Sequence, residues 1–231
     1  MSIKDETLLL LAKKILPHFD SKNYVDWALC IIENGTECEN LYILAGLDNE
    51  EREIREKYFA KVIKELNIDI NLSDFLLLEN YAKFVAENVI SGKLSQSKGL
   101  IEMNKIVVKS DYDIKYFDFF QLDEDLDYLK YSESTISNYE LSKDNKEEFI
   151  LEEFRLFLEI EKLKVREEIR EYSICAKCNH IGKPKLKTEY QLKSPIKYKI
   201  WKCEKCNSKE IEHFNSQSGK RKIINKIKNI C

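Results

Sequence analysis

The sequence predicts a mainly α-helical protein with a small cysteine-rich domain and a basic helix at its C-terminus. Helix breakers are rare, with 6 Gly and 3 Pro in 231 residues, and this favours long helices. Apolar residues before position 171 recur at helical spacing, whereas those between positions 184 and 203 alternate with polar residues as in strands. We therefore expect an irregular multi-helix bundle over residues 1–171 and a second domain with short antiparallel strands over residues 172–231.

The N-terminal segment predicts neither a secretory signal nor a membrane span. Its apolar run, Leu8 to Leu11, is followed at once by Lys13 and Lys14, and a run of this length is far too short to cross a bilayer. We therefore expect a cytoplasmic protein that does not bind a membrane and whose cysteines stay reduced.

Two helices are predicted before position 48, each from an apolar face followed by a glycine. The first helix ends at Gly35, and its face consists of Tyr24, Trp27, Ala28 and Ile31. The second precedes Gly46, and its face consists of Leu41, Leu44 and Ala45. Glycine adopts the left-handed backbone that closes a helix, so Gly35 predicts a stop. Gly46 either ends its helix or lets another helix approach.

The next helix is predicted to begin at Asp48 or Asn49, either of which can act as its N-cap. Its apolar residues recur at every fourth position and predict one core-facing stripe, which consists of Ile54, Tyr58, Val62 and Leu66. Two further helices follow the caps Ser73 and Ser95, and the first of them ends at Gly92.

Residues 111–144 predict short helices around "YFDFF" and "LDEDLDYLKY", followed by a loop over "SESTISNYELSKDN". A helix of roughly seven turns is then predicted from Ser142 or Asp144 onward, because the run to residue 172 contains no breaker. Its apolar residues predict a central place in the domain. They lie on two adjoining sides, Phe149, Leu156, Ile160 and Leu163 on one and Ile150, Phe154 and Phe157 on the other.

Charge divides the chain near residue 171. Residues 171–231 carry 15 Lys and Arg against 5 Asp and Glu, a net charge of +10, while the residues before them carry a net charge of −13. A basic tail beside an acidic body predicts an anionic partner for the tail. That partner is either nucleic acid or the acidic body of the same chain.

Two Cys-x2-Cys pairs predict one metal site within this tail. The four ligands are Cys175, Cys178, Cys203 and Cys206. Four thiolates form a closed tetrahedral shell, the arrangement that structural zinc prefers, although iron also occupies such shells. Asn179 and Asn207 follow the pairs at positions where a left-handed backbone is needed. His180 and His213 flank the pairs, but the four cysteines already complete the shell.

Two segments that alternate like strands, "PKLKTEYQL" and "KYKIWKC", lie between the cysteine pairs. Residues 172–214 as a whole resemble the zinc ribbon family, in which two such pairs sit at the ends of short antiparallel strands. The resemblance implies one structural Zn²⁺ that holds the domain together. A short basic helix is predicted after it from the helical spacing of Ile223, Ile227 and Ile230.

The basic tail also contains the residues of a predicted nucleic-acid surface, which are Lys187, Lys193, Lys197, Lys199, Trp201 and Lys202. Lysines interleaved with aromatic rings are typical of grooves that stack bases. The aromatic residues nearby are Tyr190, Tyr198, Trp201 and Phe214. The alternative is that these rings form the core of the small domain, while the lysines are solvated or pair with the acidic body.

No catalytic residue is predicted. The sequence contains no Gly-rich phosphate loop, nucleophile elbow or zinc-protease motif. The run "DEDLD" at positions 123–127 is interpreted as a solvated loop or helix start, and its use as a cation site is the weaker alternative. An enzyme that uses carboxylates of the helical domain is a third hypothesis.

The stretch "DWALCIIENGTECENLYILAGL" and the later "AKFVAENVISGKLSQSKGLIEM" resemble small bacterial proteins, some encoded beside toxin genes, that are suspected immunity or defence-associated proteins. The resemblance is carried by Trp27, Gly35, Leu41, Leu44, Ala45, Gly46, Leu47, Gly92 and Gly99. It implies a non-enzymatic protein whose acidic helical surface binds a protein partner. Nucleic-acid binding through the basic ribbon is the alternative.

Overall fold

The computed structural model describes residues 2–163 and 165–229 and confirms a mainly α-helical protein. It divides into two compact units, Met1–Val85 with Lys105–Tyr112 and Ala86–Asn104 with Asp113–Cys231. The predicted domain boundary between residues 171 and 172 stays a prediction. None of the described helices combines the length and the apolar character that a membrane span requires.

The first unit is built from the helices α1 (Ile3–Ile15), α2 (Asn23–Glu33), α3 (Glu39–Ala45) and α4 (Arg52–Glu65). Parts of α5 (Asp74–Ile90) and α6 (Gln96–Lys109) complete it. The predicted apolar faces of α2 and α3 are confirmed, since both belong to one buried cluster. That cluster contains Leu10, Tyr24, Trp27, Ala28, Ile31, Leu41, Leu44, Phe59, Val62 and Ile63. Gly35 follows α2 with a φ of 86°, as predicted for a helix stop.

Helix α4 starts later than its predicted cap. It begins at Arg52, after Glu51 as N-cap and with no side-chain cap hydrogen bond, so neither Asp48 nor Asn49 caps it. The carbonyl of Asp48 instead accepts a hydrogen bond of 2.6 Å from Nη2 of Arg55. The loop before α4 is therefore fixed by a side chain of the helix itself.

The buried face of α4 differs from the predicted stripe, of which Val62 alone is fully buried. The observed face consists of Arg55, Phe59, Val62 and Ile63. Arg55 reaches a core position because its guanidinium is satisfied there, by Ser21 Oγ at 2.6 Å and by the carbonyl of Leu47 at 2.9 Å. The predicted stripe was drawn from apolar residues alone and so left out this arginine. The face that α4 buries is therefore rotated about the helix axis relative to the predicted stripe.

The caps and stop predicted for the next two helices are confirmed. The hydroxyls of Ser73 and Ser95 each accept a hydrogen bond of 3.4 Å from a backbone N–H three residues on. Gly92 follows α5 with a φ of 75°.

The second unit has an aromatic core between α7 (Phe117–Tyr128) and α8 (Lys146–Leu163). The ring centroids of Phe119 and Phe154 lie 4.8 Å apart, and those of Phe119 and Phe157 lie 5.7 Å apart. The two short helices predicted around residue 120 are one continuous helix, α7. The central position predicted for α8 is confirmed by its run of fully buried side chains.

Helix α8 ends at Leu163 and is therefore shorter than the seven predicted turns. A 3₁₀ helix over Glu167–Glu171 follows it, and Lys164 lies outside the described residues. Ile169 of the 3₁₀ helix is buried among residues of the cysteine-rich segment, with Val165 packed beside it. Packing of this short stretch against the segment that follows overrides the helix propensity of the sequence.

The loop predicted after α7 is confirmed, and one buried carboxylate holds it. Asp125 is 1% exposed. It accepts hydrogen bonds from the backbone N–H groups of Ile136, Ser137 and Asn138 and from the Asn138 side chain, at 2.7 to 3.1 Å. The expectation that "DEDLD" is solvated is therefore wrong for Asp125, because amides of the loop replace water as the hydrogen-bond partners of its carboxylate.

The cysteine-rich segment contains the strands β1 (Ser173–Cys175), β2 (Ile181–Gly182), β3 (Lys185–Tyr190), β4 (Lys197–Lys202) and β5 (Ile211–His213). Strands β3 and β4 are the two predicted strands and form an antiparallel hairpin. The other three form a second antiparallel sheet in the order β2-β1-β5. Strands of two or three residues are too short to show alternation, so the sequence did not predict them.

The C-terminal helix α9 (Gln217–Lys228) packs beside this second sheet. Ile223 is fully buried with Ile169, Ile174 and Phe214, while the predicted Ile230 lies outside the described residues. Gly219 has no room for a side chain, since a Cβ atom there would lie 2.0 Å from the carbonyl oxygen of His213. The first turn of α9 is therefore pressed against β5.

A buried polar network fixes α9 to α7 and α8. Lys220 is 1% exposed and pairs with Glu153 and, at 2.9 Å, with Asp118. Gln217 donates to the carbonyl of Phe149 at 2.8 Å and to Glu153 at 3.1 Å. The basic helix is thus docked on acidic side chains of the same unit.

Candidate functional site

The fold brings the four predicted cysteines together. Each contributes a sulfur, and all four sulfurs lie within 4.8 Å of one another. The Sγ atoms of Cys175 and Cys206 are 3.5 Å apart, and those of Cys178 and Cys203 are 3.7 Å apart. A tetrahedral zinc site with Zn–S bonds of about 2.3 Å has sulfur–sulfur edges of about 3.8 Å. These distances fit a metal site and exceed the length of a disulfide, about 2.05 Å.

The two cysteine pairs share one backbone geometry. Asn179 and Asn207 have φ angles of 54° and 59°, which confirms the predicted left-handed position after each pair. Their N–H groups donate to the carbonyls of Cys175 at 2.9 Å and Cys203 at 3.0 Å. Each pair therefore forms a tight turn at the end of a strand, and the two turns bring the sulfurs to a common centre.

Electrostatics at this centre favour a bound cation. Burial raises the pKa of Cys175, but hydrogen bonds from the backbone of Cys178 and Lys177 outweigh it and lower the pKa to about 6. A hydrogen bond from the backbone of His180 lowers the pKa of Cys178, but burial and the three neighbouring thiols raise it to about 12. Four thiolates cannot form side by side unless a positive charge compensates them. A donor set of four sulfurs fits zinc or another tetrahedral thiophilic metal.

The two histidines lie outside the cluster, as expected. Nε2 of His180 lies 2.9 Å from a carboxylate oxygen of Glu204. The ring of His213 makes an edge contact with the ring of Trp201, at 6.4 Å between centroids. Neither histidine belongs to the four-sulfur cluster found in the described residues.

The β3–β4 hairpin presents a second feature, a face on which every residue is exposed. Its register pairs Leu186 with Trp201 and Tyr190 with Lys197, and directly paired residues project to the same side of a hairpin. That side consists of Leu186, Thr188, Tyr190, Lys197, Lys199 and Trp201, all of them exposed. We call these six residues the exposed hairpin face. Tyr190 is 73% and Trp201 46% exposed, which leaves both rings open to a ligand.

The exposed hairpin face contains no carboxylate. Glu189 is the one acidic residue between positions 185 and 202, and it projects to the opposite side. There it accepts hydrogen bonds from Lys202, Lys209 and the Tyr198 hydroxyl, and these lower its pKa to about 2. Its negative charge is therefore neutralised on the far side of the hairpin.

The residues predicted to bind nucleic acid are divided by the register. Lys197, Lys199 and Trp201 belong to the exposed hairpin face, and Lys193 is exposed in the turn. Lys187 and Lys202 lie on the opposite side, where Lys187 donates to the Asn207 side chain and Lys202 pairs with Glu189.

The predicted aromatic residues are divided in the same way. Tyr198 projects to the opposite side of the hairpin, and Phe214 is 1% exposed in the core. Tyr190, named with them beside the predicted lysines, belongs with Trp201 to the exposed hairpin face. Alternation along β3 and β4 groups Tyr190 with Trp201 only once their pairing register is known.

The positive charges of α9 are largely engaged within the chain. Arg221 pairs with Glu152 at 2.9 Å and Lys228 with Glu159 at 3.1 Å, while Lys222 pairs with Glu212. By contrast, the side chains of Lys193, Lys197 and Lys199 take part in no ion pair or hydrogen bond with the residues that the structure describes, and the same holds in the tail for Lys177, Lys185 and Lys205. The free positive charge of the tail therefore includes the lysines of the hairpin and its turn.

No protein-family model, no curated protein and no solved structure matches the chain.

Proposed function

We propose that the chain binds nucleic acid through the exposed hairpin face, on a ribbon that one structural zinc ion stabilises. One observation carries the proposal, namely that two open aromatic rings and two free lysines share a face from which acidic groups are absent. Lysines neutralise phosphates, and aromatic rings stack on bases of any sequence. A solvated lysine surface would not need two large rings exposed beside it.

Zinc is proposed for the metal centre because the four sulfur ligands complete a tetrahedral shell. A closed shell offers no position for water or substrate, so the ion contributes to folding. The apolar core beside the ribbon is small, with Ile169, Ile174, Phe214 and Ile223 as its buried members. Domains with so little buried apolar surface depend on a metal or a similar cross-link. A reducing cytoplasm, as predicted, keeps the thiols available as ligands.

Replacement of Lys197 and Lys199 by glutamine is expected to weaken nucleic-acid binding about tenfold near 0.1 M salt, since two phosphate contacts are lost. The measurement is fluorescence anisotropy of a labelled oligonucleotide titrated with metal-loaded protein. The matched control replaces Arg221 and Lys222, which pair with Glu152 and Glu212, by glutamine and should bind like the wild type. Equal losses in both variants, or no binding by the wild type, would contradict the proposal.

A second candidate function is the immunity- or defence-like role, in which the chain binds a protein partner. The loop that Asp125 holds favours it, because that loop exposes Tyr131, Ile136 and Tyr139 by 92%, 63% and 85%. Large rings on a backbone that is already fixed lose little entropy on binding, and tyrosines often dominate protein interfaces.

For this second candidate, the test is co-purification of the tagged chain with the product of a neighbouring gene. Replacing Tyr131 and Tyr139 by serine is expected to reduce recovery of the partner at least tenfold, whereas Tyr190→Ser on the hairpin should leave it unchanged. A partner that remains bound to the double variant would exclude this loop as its binding surface.

A further inference from the structure

We infer that the cleft beside Trp201, at the base of the hairpin, binds one unpaired base of a single-stranded nucleic acid. The inference rests on the proposed function and names the substrate class of the same surface. The cleft has a volume of about 490 Å³, and its lining consists of Arg170, Glu171, Lys183, Pro184, Trp201, His213 and Asn215. Trp201 belongs both to this lining and to the exposed hairpin face, so one strand can contact both.

The charged groups of the cleft already have partners within the chain. Lys183 pairs with Glu171. Arg170 pairs with Asp118 at 3.2 Å and also donates to the carbonyl of Lys115 at 3.1 Å. A phosphate would have to compete for these cations, whereas a neutral ligand leaves both ion pairs intact. The cleft therefore suits a neutral group better than an anionic one.

Two uncharged polar side chains of the cleft are available to a ligand. Across the described portion of the chain, neither the His213 ring nor the Asn215 amide has a hydrogen-bond partner in the protein. Burial lowers the pKa of His213, so its ring is neutral near pH 7 and offers one donor and one acceptor. The Asn215 amide offers both kinds of group as well. A flat aromatic ligand with donors and acceptors on its edge, such as a nucleobase, matches the Trp201 ring and these two side chains.

The spacing of the two exposed rings favours a single strand. Trp201 pairs with Leu186, four residues from Tyr190 along β3, which separates the backbone positions that carry the two rings by about 13 Å at about 3.3 Å per residue. Bases in a duplex stack at intervals of about 3.4 Å and cover one another's faces. Rings carried at positions so far apart on one surface therefore reach base faces only where the strand is extended and its bases are unstacked.

The test compares binding of the metal-loaded full chain to labelled 12-nucleotide strands of oligo-dT and oligo-U and to a blunt DNA duplex of the same length. We expect either single strand to bind about tenfold more tightly than the duplex, since only single strands stack on Trp201. Trp201→Ala should weaken single-strand binding about tenfold and leave duplex binding unchanged, and Trp201→Phe should restore part of the loss. The matched control is Tyr139→Ala, which removes a ring that is 85% exposed elsewhere and should change nothing.

Tryptophan fluorescence gives a second readout that does not depend on affinity. The chain has two tryptophans, and Trp27 is 5% exposed in the core of the first unit, so quenching by an added strand reports on Trp201. Quenching by single strands, and its loss in Trp201→Phe, is the expected result. Equal affinity for duplex, or single-strand binding that neither needs nor quenches Trp201, overturns the inference while leaving salt-dependent binding by the hairpin in place. Absence of binding to all three probes overturns the proposed function as well.

Discussion

Removal of the metal from the purified chain is expected to unfold the ribbon, residues 173–214, while helices α1–α4 stay folded. Binding of structural zinc contributes on the order of 10–16 kcal/mol to the folding of small metal-dependent domains. The four buried apolar residues beside the ribbon, Ile169, Ile174, Phe214 and Ile223, cannot replace a contribution of that size. The loss should appear as rapid hydrogen exchange of amides in β1–β5 after chelation, measured by mass spectrometry.

Substitution of one ligand should have the same effect as chelation. Cys203→Ser is expected to reduce the metal content from about one zinc per chain to near zero, because a closed shell needs all four sulfurs. The matched control is Cys38→Ser, at the N-cap position of α3 and outside the cluster, where serine is a good cap. It should keep both the metal and the fold. A folded wild-type ribbon without metal, or protected ribbon amides after chelation, would refute the structural role of the ion.

Lys220→Met is expected to lower the free energy of unfolding by about 3–5 kcal/mol, the usual cost of removing one partner of a buried ion pair. The substitution leaves the carboxylate of Glu153 buried without its lysine and removes one of the two cations beside Asp118. Burial lowers the pKa of Lys220, but the charges of Asp118 and Glu153 outweigh it and raise the pKa, so the lysine is charged in the folded protein. Urea denaturation followed by circular dichroism measures the change.

The control for Lys220 is another lysine of the same helix. Lys222 pairs with Glu212 while 55% of its side chain is exposed, and Lys222→Met should cost less than about 1 kcal/mol. Adding Glu153→Leu to Lys220→Met should recover much of the lost stability, because Asp118 keeps Arg170 as its partner and no carboxylate remains unpaired. Equal effects of the two lysine substitutions would show that the buried network does not anchor α9.

The parts of the fold that depend on local pattern were predictable. Apolar periodicity placed α2, α3 and the central α8, serine caps placed the starts of α5 and α6, and Gly92 placed the end of α5. Other features depend on partners that are distant in the sequence. The choice of buried face on α4 depends on Arg55. Its guanidinium can be buried because it donates hydrogen bonds to Ser21 and to two loop carbonyls.

Asp125 shows the same limit on prediction. In the sequence it is one of several adjacent acids, and only the loop that folds over it makes it a buried anchor. A local pattern of charges does not show whether backbone amides from elsewhere in the chain will replace the water around a carboxylate.

The candidate sites divide in the same manner. The spacing of the four cysteines was enough to predict that they cluster, because two Cys-x2-Cys turns together supply the four sulfurs of one tetrahedral metal site. Spacing could not show which lysines are free, since Lys202 is neutralised by Glu189 from the adjacent strand and Lys220 by residues of α7 and α8. Strand register, which is a tertiary property, assigned Tyr190, Lys199 and Trp201 to one face.

The most direct test of nucleic-acid binding by the exposed hairpin face is the dependence of affinity on salt. The affinity of the metal-loaded chain for a single strand should fall linearly with salt on a double-logarithmic plot, with a slope of about −0.7 per phosphate contacted. For the variant with glutamine at positions 197 and 199, the slope should be less negative than that of the wild type by about 1.4. An affinity independent of salt, or an identical slope for the wild type and this variant, would contradict the assignment of phosphate contacts to Lys197 and Lys199.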